Sequence, residues 1–236
     1  MGNQQVNGLP GVRTIRTATP RKVMITDQGR VFLARGRIII GADSRDPLNT
    51  GDIDVLRAGL LLGKNSTSEN LAPSIIGVLT AEYDKDGSAA TQLTVGVATA
   101  TEIVRRIGTT GTLTLTGPPT AAGTVAAQTA TFSAVNTATG VITITALAAD
   151  SINGSFVGDT DGTQVPDTII HDGYGIKVTD EDGTSINVAT SPENIIVAGQ
   201  VDSSQIINWP TDTSLIAWVK SSLRAVGIGY VFDDDF

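Results

Sequence analysis

"RAGLLLGKN" (residues 57–65) sets Gly59, three leucines and Gly63-Lys64 in one short run. Two readings compete for it: a loop that cradles phosphate, or a strand that turns a corner. A P-loop needs four residues between its first glycine and the Gly-Lys pair, and a Ser or Thr after the lysine to hold Mg²⁺. Here only Leu60, Leu61 and Leu62 intervene, and Asn65 follows Lys64. The loop is a residue short and lacks the metal hydroxyl, so the run reads as a strand. A second apolar run, "APSIIGVLTAEY" (72–83), follows across the polar loop "NSTSEN" (65–70). Short apolar runs bounded by turn residues are buried strands.

Working outward from this pair, the whole chain has the same texture. Its 236 residues can hold one large domain or two small ones with a sizeable core. Aromatic residues are few, Val, Ile, Leu and Ala supply the apolar bulk, and Asp-Gly and Asn-containing turns recur. That mixture predicts many short strands with one or two helices. The expected fold class is mainly β: a compact β-barrel or sandwich-like body with one C-terminal helix, an extended N-terminal arm and a Thr-rich β insertion. Residues 1–20 lack sustained periodicity and read as an arm that is flexible when the protein is alone. Residues 21–107 form the first part of the body. Its opening "RKVMITDQGRVFLARGRIIIG" (21–41) carries a hairpin signal at Asp27-Gln28-Gly29. "ATEIVRRIG" (100–108) fits a short helix or a continued strand.

Residues 108–165 change composition to a nearly uncharged Thr/Ala/Gly-rich β unit, either an insertion or ordinary sheet continuing the main fold. In it "TATFSAV" (129–135) and "GVITITAL" (140–147) alternate around the turn "NTATG". Residues 166–236 complete the body. "YGIKVTDEDGTSINVAT" (174–190) reads as a hairpin with Asp182-Gly183 at its turn. After Pro210, Leu215, Val219, Leu223 and Val226 repeat at helical spacing, and Gly227 is placed to end the helix. The final "DDDF" reads as a solvated acidic tail.

Candidate chemistry is sparse, and the chain reads as a non-enzyme without a cofactor. With no cysteine there is no disulfide framework, thiolate or cysteine zinc site. The single histidine, His171, precedes Asp172-Gly173 and reads as a surface turn residue; no GxSxG occurs. Three D-x-D-G stretches, Asp84–Gly87, Asp159–Gly162 and Asp180–Gly183, lack the spacing of an EF-hand. Asp-Gly turns account for them, and calcium at one such loop stays open. Sequons at Asn65 and Asn153 follow no secretory segment, and no apolar run approaches the ~20 residues of a membrane helix. A soluble protein is expected.

Charge is uneven. Residues 1–64 carry ten Lys/Arg against five Asp, while the remainder carries six basic and nineteen acidic residues. A basic arm on an acidic body seeks something negative. With only Phe32 available for stacking in residues 1–37, an acidic protein surface fits it better than nucleic acid. Trp209 and Trp218, near the terminal helix, are either core residues or anchors of a subunit interface.

"NTGDIDVLRAGLLLGK" (49–64) followed by "LAPSIIGVLTAEY" (71–83) resembles the strand pair of tailed-bacteriophage head decoration (cement) proteins. "TLTLTGPPTAAGTV", "YGIKVTDEDG", "AGQVDSSQI" and "SLIAWVKSSLRAVGIGYVF" resemble its longer members, so the similarity covers about two-thirds of the chain by texture and order. The resemblance implies a β-rich protein on the outer face of an expanded phage head, made in the host cytoplasm. Its implied partners are the major capsid protein and itself, as a homotrimer at three-fold positions, with no direct nucleic acid or membrane contact. An arm that adds a strand to a capsid sheet would place Val12, Arg13, Ile15, Arg16, Arg21, Lys22, Arg35 and Arg37 at the capsid contact. Trp209 and Trp218 would lie at the subunit interface. The longer basic arm and the Thr-rich unit depart from the smallest family members. The alternatives are a tail tube or fibre-base protein, or a calcium- or glycan-binding β module.

Overall fold

The computed structural model describes residues 22–25, 31–32, 37–118, 125–190, 195–226 and 229–235. The chain begins with β1 (Val31–Phe32), β2 (Ile38–Ile39), β3 (Val55–Leu56), β4 (Leu61–Lys64), β5 (Leu71–Pro73), β6 (Gly77–Val78) and β7 (Gln92–Thr94). Helix α1 (Val97–Arg106) comes next, then β8 (Gly111–Gly117), β9 (Ala126–Asn136), β10 (Val141–Ile144) and β11 (Phe156–Gly158). The last part holds β12 (Pro166–Ile170), β13 (Ile176–Lys177), β14 (Val188–Ala189), β15 (Ile195–Val201), helix α2 (Thr213–Val226) and β16 (Gly229–Phe232). The fold is mainly β, with the C-terminal helix expected from the sequence and a second helix, α1, where helix and strand had both been open.

The larger sheet runs β1-β15-β12-β4-β5-β2-β14, with β16 alongside β15 in parallel. The second half of the RAGLLLGK run forms β4, antiparallel to β5 on one side (Gly63 opposite Ala72) and to β12 on the other (Leu61 opposite Ile169). The central strands β4, β5 and β12 are buried on both faces, which is why β4 sits in an unbroken apolar run. Leu61, Ile169 and Ile196 point into one core with Leu215, Val219 and Leu223 of α2, while Leu60, Leu62, Ile170 and Ile195 point into another with Leu56 and Ile176. Leu215, Val219 and Leu223, each four apart, are almost fully buried, and Asp212 starts the helix by accepting the amides of Ser214 and Leu215. The stop expected at Gly227 lies outside the described residues.

The second sheet, β6-β11-β8-β9-β10-β7, contains the Thr-rich strands but also draws in residues 77–78 and 92–94. Its end strands meet: Leu79 bridges Val95 and the Thr80 amide donates to the Thr94 carbonyl, so the sheet curls round onto itself. Leu113, Leu115, Ala130, Phe132 and Ile142 fill its interior, and Ala100 and Ile103 of α1 pack against them. The seam with the rest of the body is made of neighbouring residues that face opposite ways. Ile75 and Phe156 enter the α2 core, whereas Ile76 and Val157 enter the curled sheet.

Two local readings change. The runs flanking Asp27-Gln28-Gly29 do not pair with each other across the described residues. The Ile25 amide bonds the Gln200 carbonyl, Met24 bridges Val201, and Val31 lies opposite Ala198, so both runs border β15. The seven-residue strand β15 supplies the backbone partners for both runs. At the other end, Asp233–Asp235 forms a bonded 3₁₀ turn rather than a loose tail, though Asp233 and Asp235 are exposed. The Ser203 amide donates to Asp233, and Asp235 pairs with Lys220 at 2.9 Å and with Arg224 while accepting the Phe232 amide.

Burial alone would raise the Asp235 carboxyl, but the Phe232 amide, Lys220 and Arg224 outweigh it and hold it below the ordinary carboxylate range. A depressed folded-state pKa contributes stability that is present above the unfolded value and lost as pH falls through the folded one. Asp235→Asn is therefore expected to cost up to about 1 kcal/mol near neutral pH. Urea melts of the two proteins should converge as pH drops below the usual carboxylate range. A difference that stays constant with pH would show that the clasp is not ionic.

Candidate functional site

The corner in RAGLLLGKN is structural. Gly59 takes a left-handed backbone (φ 89°), and a Cβ there would lie 2.0 Å from the Gln205 carbonyl oxygen. Asn65 organises the loop that follows: its Oδ1 accepts the amides of Thr67 and Ser68, and its Nδ2 donates to Asp161. Amides that would have to cradle phosphate are thus engaged within the chain, and Lys64 faces Glu69 at 3.6 Å.

The Asp-Gly loops are built in the same way. Asp84 accepts the amide of Asp86, Asp180 those of Asp182 and Thr184, and Asp161 the amide and hydroxyl of Thr163. Each carboxylate folds its own turn. Among the described residues no group of three or more His, Asp or Glu side chains converges to hold a metal ion. His171 is half-buried just past the end of β12.

A buried cation that ties several elements together is Arg106, in the last turn of α1. Its side chain is 1 % exposed. Nε donates to Asp159 at 2.9 Å, Nη1 to the Pro73 carbonyl at 2.9 Å and Nη2 to Thr163 Oγ1 at 2.7 Å, with Asp161 4.0 Å away. One guanidinium therefore joins the helix of the curled sheet to β5 and to the 159–163 loop. Burial pushes Asp161 upward, but hydrogen bonds from Thr163 and Asn65 and the Arg106 charge leave it below the ordinary range. Asp43 is held above that range, first by burial, which outweighs Arg106, and then by the like charges of Asp161 and Asp159.

The residues expected at a capsid contact divide sharply. Val12, Arg13, Ile15, Arg16, Arg21 and Arg35 lie outside the described residues. Lys22 is exposed beside Val23 and Met24, which are buried against the edge of the larger sheet. Arg37 faces inward: its backbone amide and carbonyl bond Thr190, and its guanidinium meets Asp167 at 3.4 Å. Arg45 and Arg57 pair with Asp54 and Asp46, both at 2.6 Å. Four of the ten cations in residues 1–64 (Arg37, Arg45, Arg57 and Lys64) are thus matched within the chain, a pairing that charge counting along the sequence cannot see.

Trp209 and Trp218 are half-buried and both pack against the α2 core. Trp209 stacks on Phe232 (5.4 Å, 29°), and Trp218 is tilted against Phe156 (6.0 Å, 42°). Between α2 and the curled sheet a cleft of ≈ 230 Å³ opens, with Trp209 and Phe156 among its walls and Asn153, Asn208, Thr211 and Asp212 among its polar groups. Sequence reasoning missed this cleft, because its residues come from segments more than fifty positions apart. The Asn208-Trp209-Pro210 run was the one local signal.

No family model matches the chain, and neither a curated protein nor a solved structure matches it. No described helix is long and apolar enough to cross a membrane.

Proposed function

We propose that this chain is a structural protein of a tailed-bacteriophage head, binding the outer surface of the expanded capsid and stabilising it against internal DNA pressure. The observation that carries the reading is the junction at Lys22. The basic segment joins the acidic body beside the outer edge of the larger sheet, where Val23 and Met24 are buried and Ile25 is bonded to β15. A body anchored in this way leaves residues 1–21 to engage a partner, by strand addition and by Arg13, Arg16 and Arg21. Residues 23–25 and 31–32 are paired within the chain, so the strand-adding part falls before residue 22. The order of the strand motifs around β4 and β5 supports the same family. The partners in this reading are the major capsid protein and further copies of the chain, as trimers whose several contacts raise avidity by ~10²–10⁴.

Co-sedimentation with purified heads tests it. Saturable binding to expanded shells and none to unexpanded shells is expected, and absence from both would move the protein to the tail. A chain lacking residues 1–20 should stay folded, because it keeps Val23, Met24 and Ile25 and their bonds along β15 and Asp202, and should lose most of its shell affinity. That affinity should also fall with salt, since exposed charges are screened over ~10 Å at 0.1 M. A folded truncation that binds as tightly as the full chain would refute the role of the arm.

A further inference from the structure

We propose that the cleft between α2 and the curled sheet binds one neutral sugar ring. This inference stands whether or not the chain decorates a capsid. Trp209 is stacked on Phe232, and together with Phe156 it gives the cleft an aromatic lining. A pyranose has an apolar face of C–H bonds that packs on such a ring, while its hydroxyls radiate outward and need polar partners.

Those partners stand around the ring. Asn153 and Thr211 are exposed, Asn208 is half-buried, and among the described residues the side chains of all three make no hydrogen bond. Asn208 takes a left-handed backbone (φ 60°), a conformation uncommon outside glycine that brings its amide to the cleft beside Trp209. Two amides and a hydroxyl supply both donors and acceptors, which is what vicinal hydroxyls require.

Charge and size narrow the ligand further. Asp212 Oδ1 already accepts the amides of Ser214 and Leu215, at 2.9 and 3.0 Å. The anion-attracting amides at this helix start are therefore occupied, and the remaining local charge is negative. Phosphate and acidic sugars are disfavoured. At ≈ 230 Å³ the cleft is smaller than the roughly 300–1,000 Å³ of sites for drug-sized ligands, so it takes a single ring.

The test is an NMR titration of the full chain with glucose, galactose, mannose and N-acetylglucosamine in turn, to about 10 mM, tenfold above a millimolar Kd. At least one sugar should give a saturable shift of the Trp209 indole N–H and of the Asn153 and Asn208 side-chain amides. Asn153→Ala and Thr211→Ala should each weaken that binding about three- to tenfold, the value of one hydrogen bond. Among the described residues both side chains are unbonded, so an unchanged Tm should accompany the loss. The proposal is overturned by no saturable shift with any of the four sugars, by both variants binding as tightly as the parent chain, or by saturation with inorganic phosphate alone.

Discussion

Gly63→Ala is expected to destabilise the fold by about 3 kcal/mol or more. A methyl group at this position would lie 1.7 Å from the Thr163 carbonyl oxygen and 2.7 Å from that of Val165. Both obstacles are backbone atoms, which cannot swing aside as a side chain does. Gly63 cannot retreat either, because β4 is paired to β5 on one side and β12 on the other. Any relief must break one of the two ladders at the centre of the larger sheet. Gly51→Ala is the matched control: the nearest atom to its added Cβ would be Asn49 Oδ1 at 3.8 Å, so stability should change by about 0.5 kcal/mol or less. If urea unfolding finds the two variants equally stable, the 163–165 segment does not press on β4 at Gly63.

The second large effect is expected at Arg106. Arg106→Ala should cost about 3–5 kcal/mol, since it leaves Asp159, Thr163 and the Pro73 carbonyl without their common, almost fully buried donor. Arg106→Lys keeps the charge but cannot reach three acceptors from one planar fork, so it should fall between alanine and the parent chain. Arg224 gives the contrast. Its pairing with Asp235 is 41 % exposed on the arginine side, and Arg224→Ala should cost no more than about 1 kcal/mol. An Arg106→Ala protein within about 1 kcal/mol of the parent in a urea melt would show that the guanidinium is not what fastens α1 to the 159–163 loop.

These two positions also show how far the sequence could be read. That RAGLLLGK is a buried strand followed from spacing alone, because a P-loop one residue short cannot close around phosphate. Helix α2 was legible from Leu215, Val219 and Leu223, whose spacing matches the turn of a helix that buries one face. For α1 the signals conflicted. Arg105 and Arg106 in the last turn and Gly108 just beyond mark a helix end, but the β-branched Val97, Thr99, Thr101, Ile103 and Val104 suit a strand equally well. Packing of Ala100 and Ile103 into the curled sheet decides in favour of the helix. The hairpin at Thr179 and Ser185 forms as the Asp-Gly turn directs, and its arms then separate, β13 going to β3 and β14 to β2. No local turn rule could foretell that divergence.

By itself, then, the sequence determined the β class, the strand and helix that anchor the larger sheet, and the turns at Asn136–Gly140 and Asp182-Gly183, since all of these depend on side-chain period and backbone sterics over a few residues. Only the tertiary structure decided which strands share a sheet, that Ile75 and Ile76 or Phe156 and Val157 serve two different cores, and that Arg37, Arg45 and Arg57 are neutralised within the chain. Only it decided that Trp209 meets Asn153 across a cleft. Each of these is a contact between residues far apart in the chain. Such contacts are selected by competition among all the surfaces that can be buried together, and no short window of residues contains that competition.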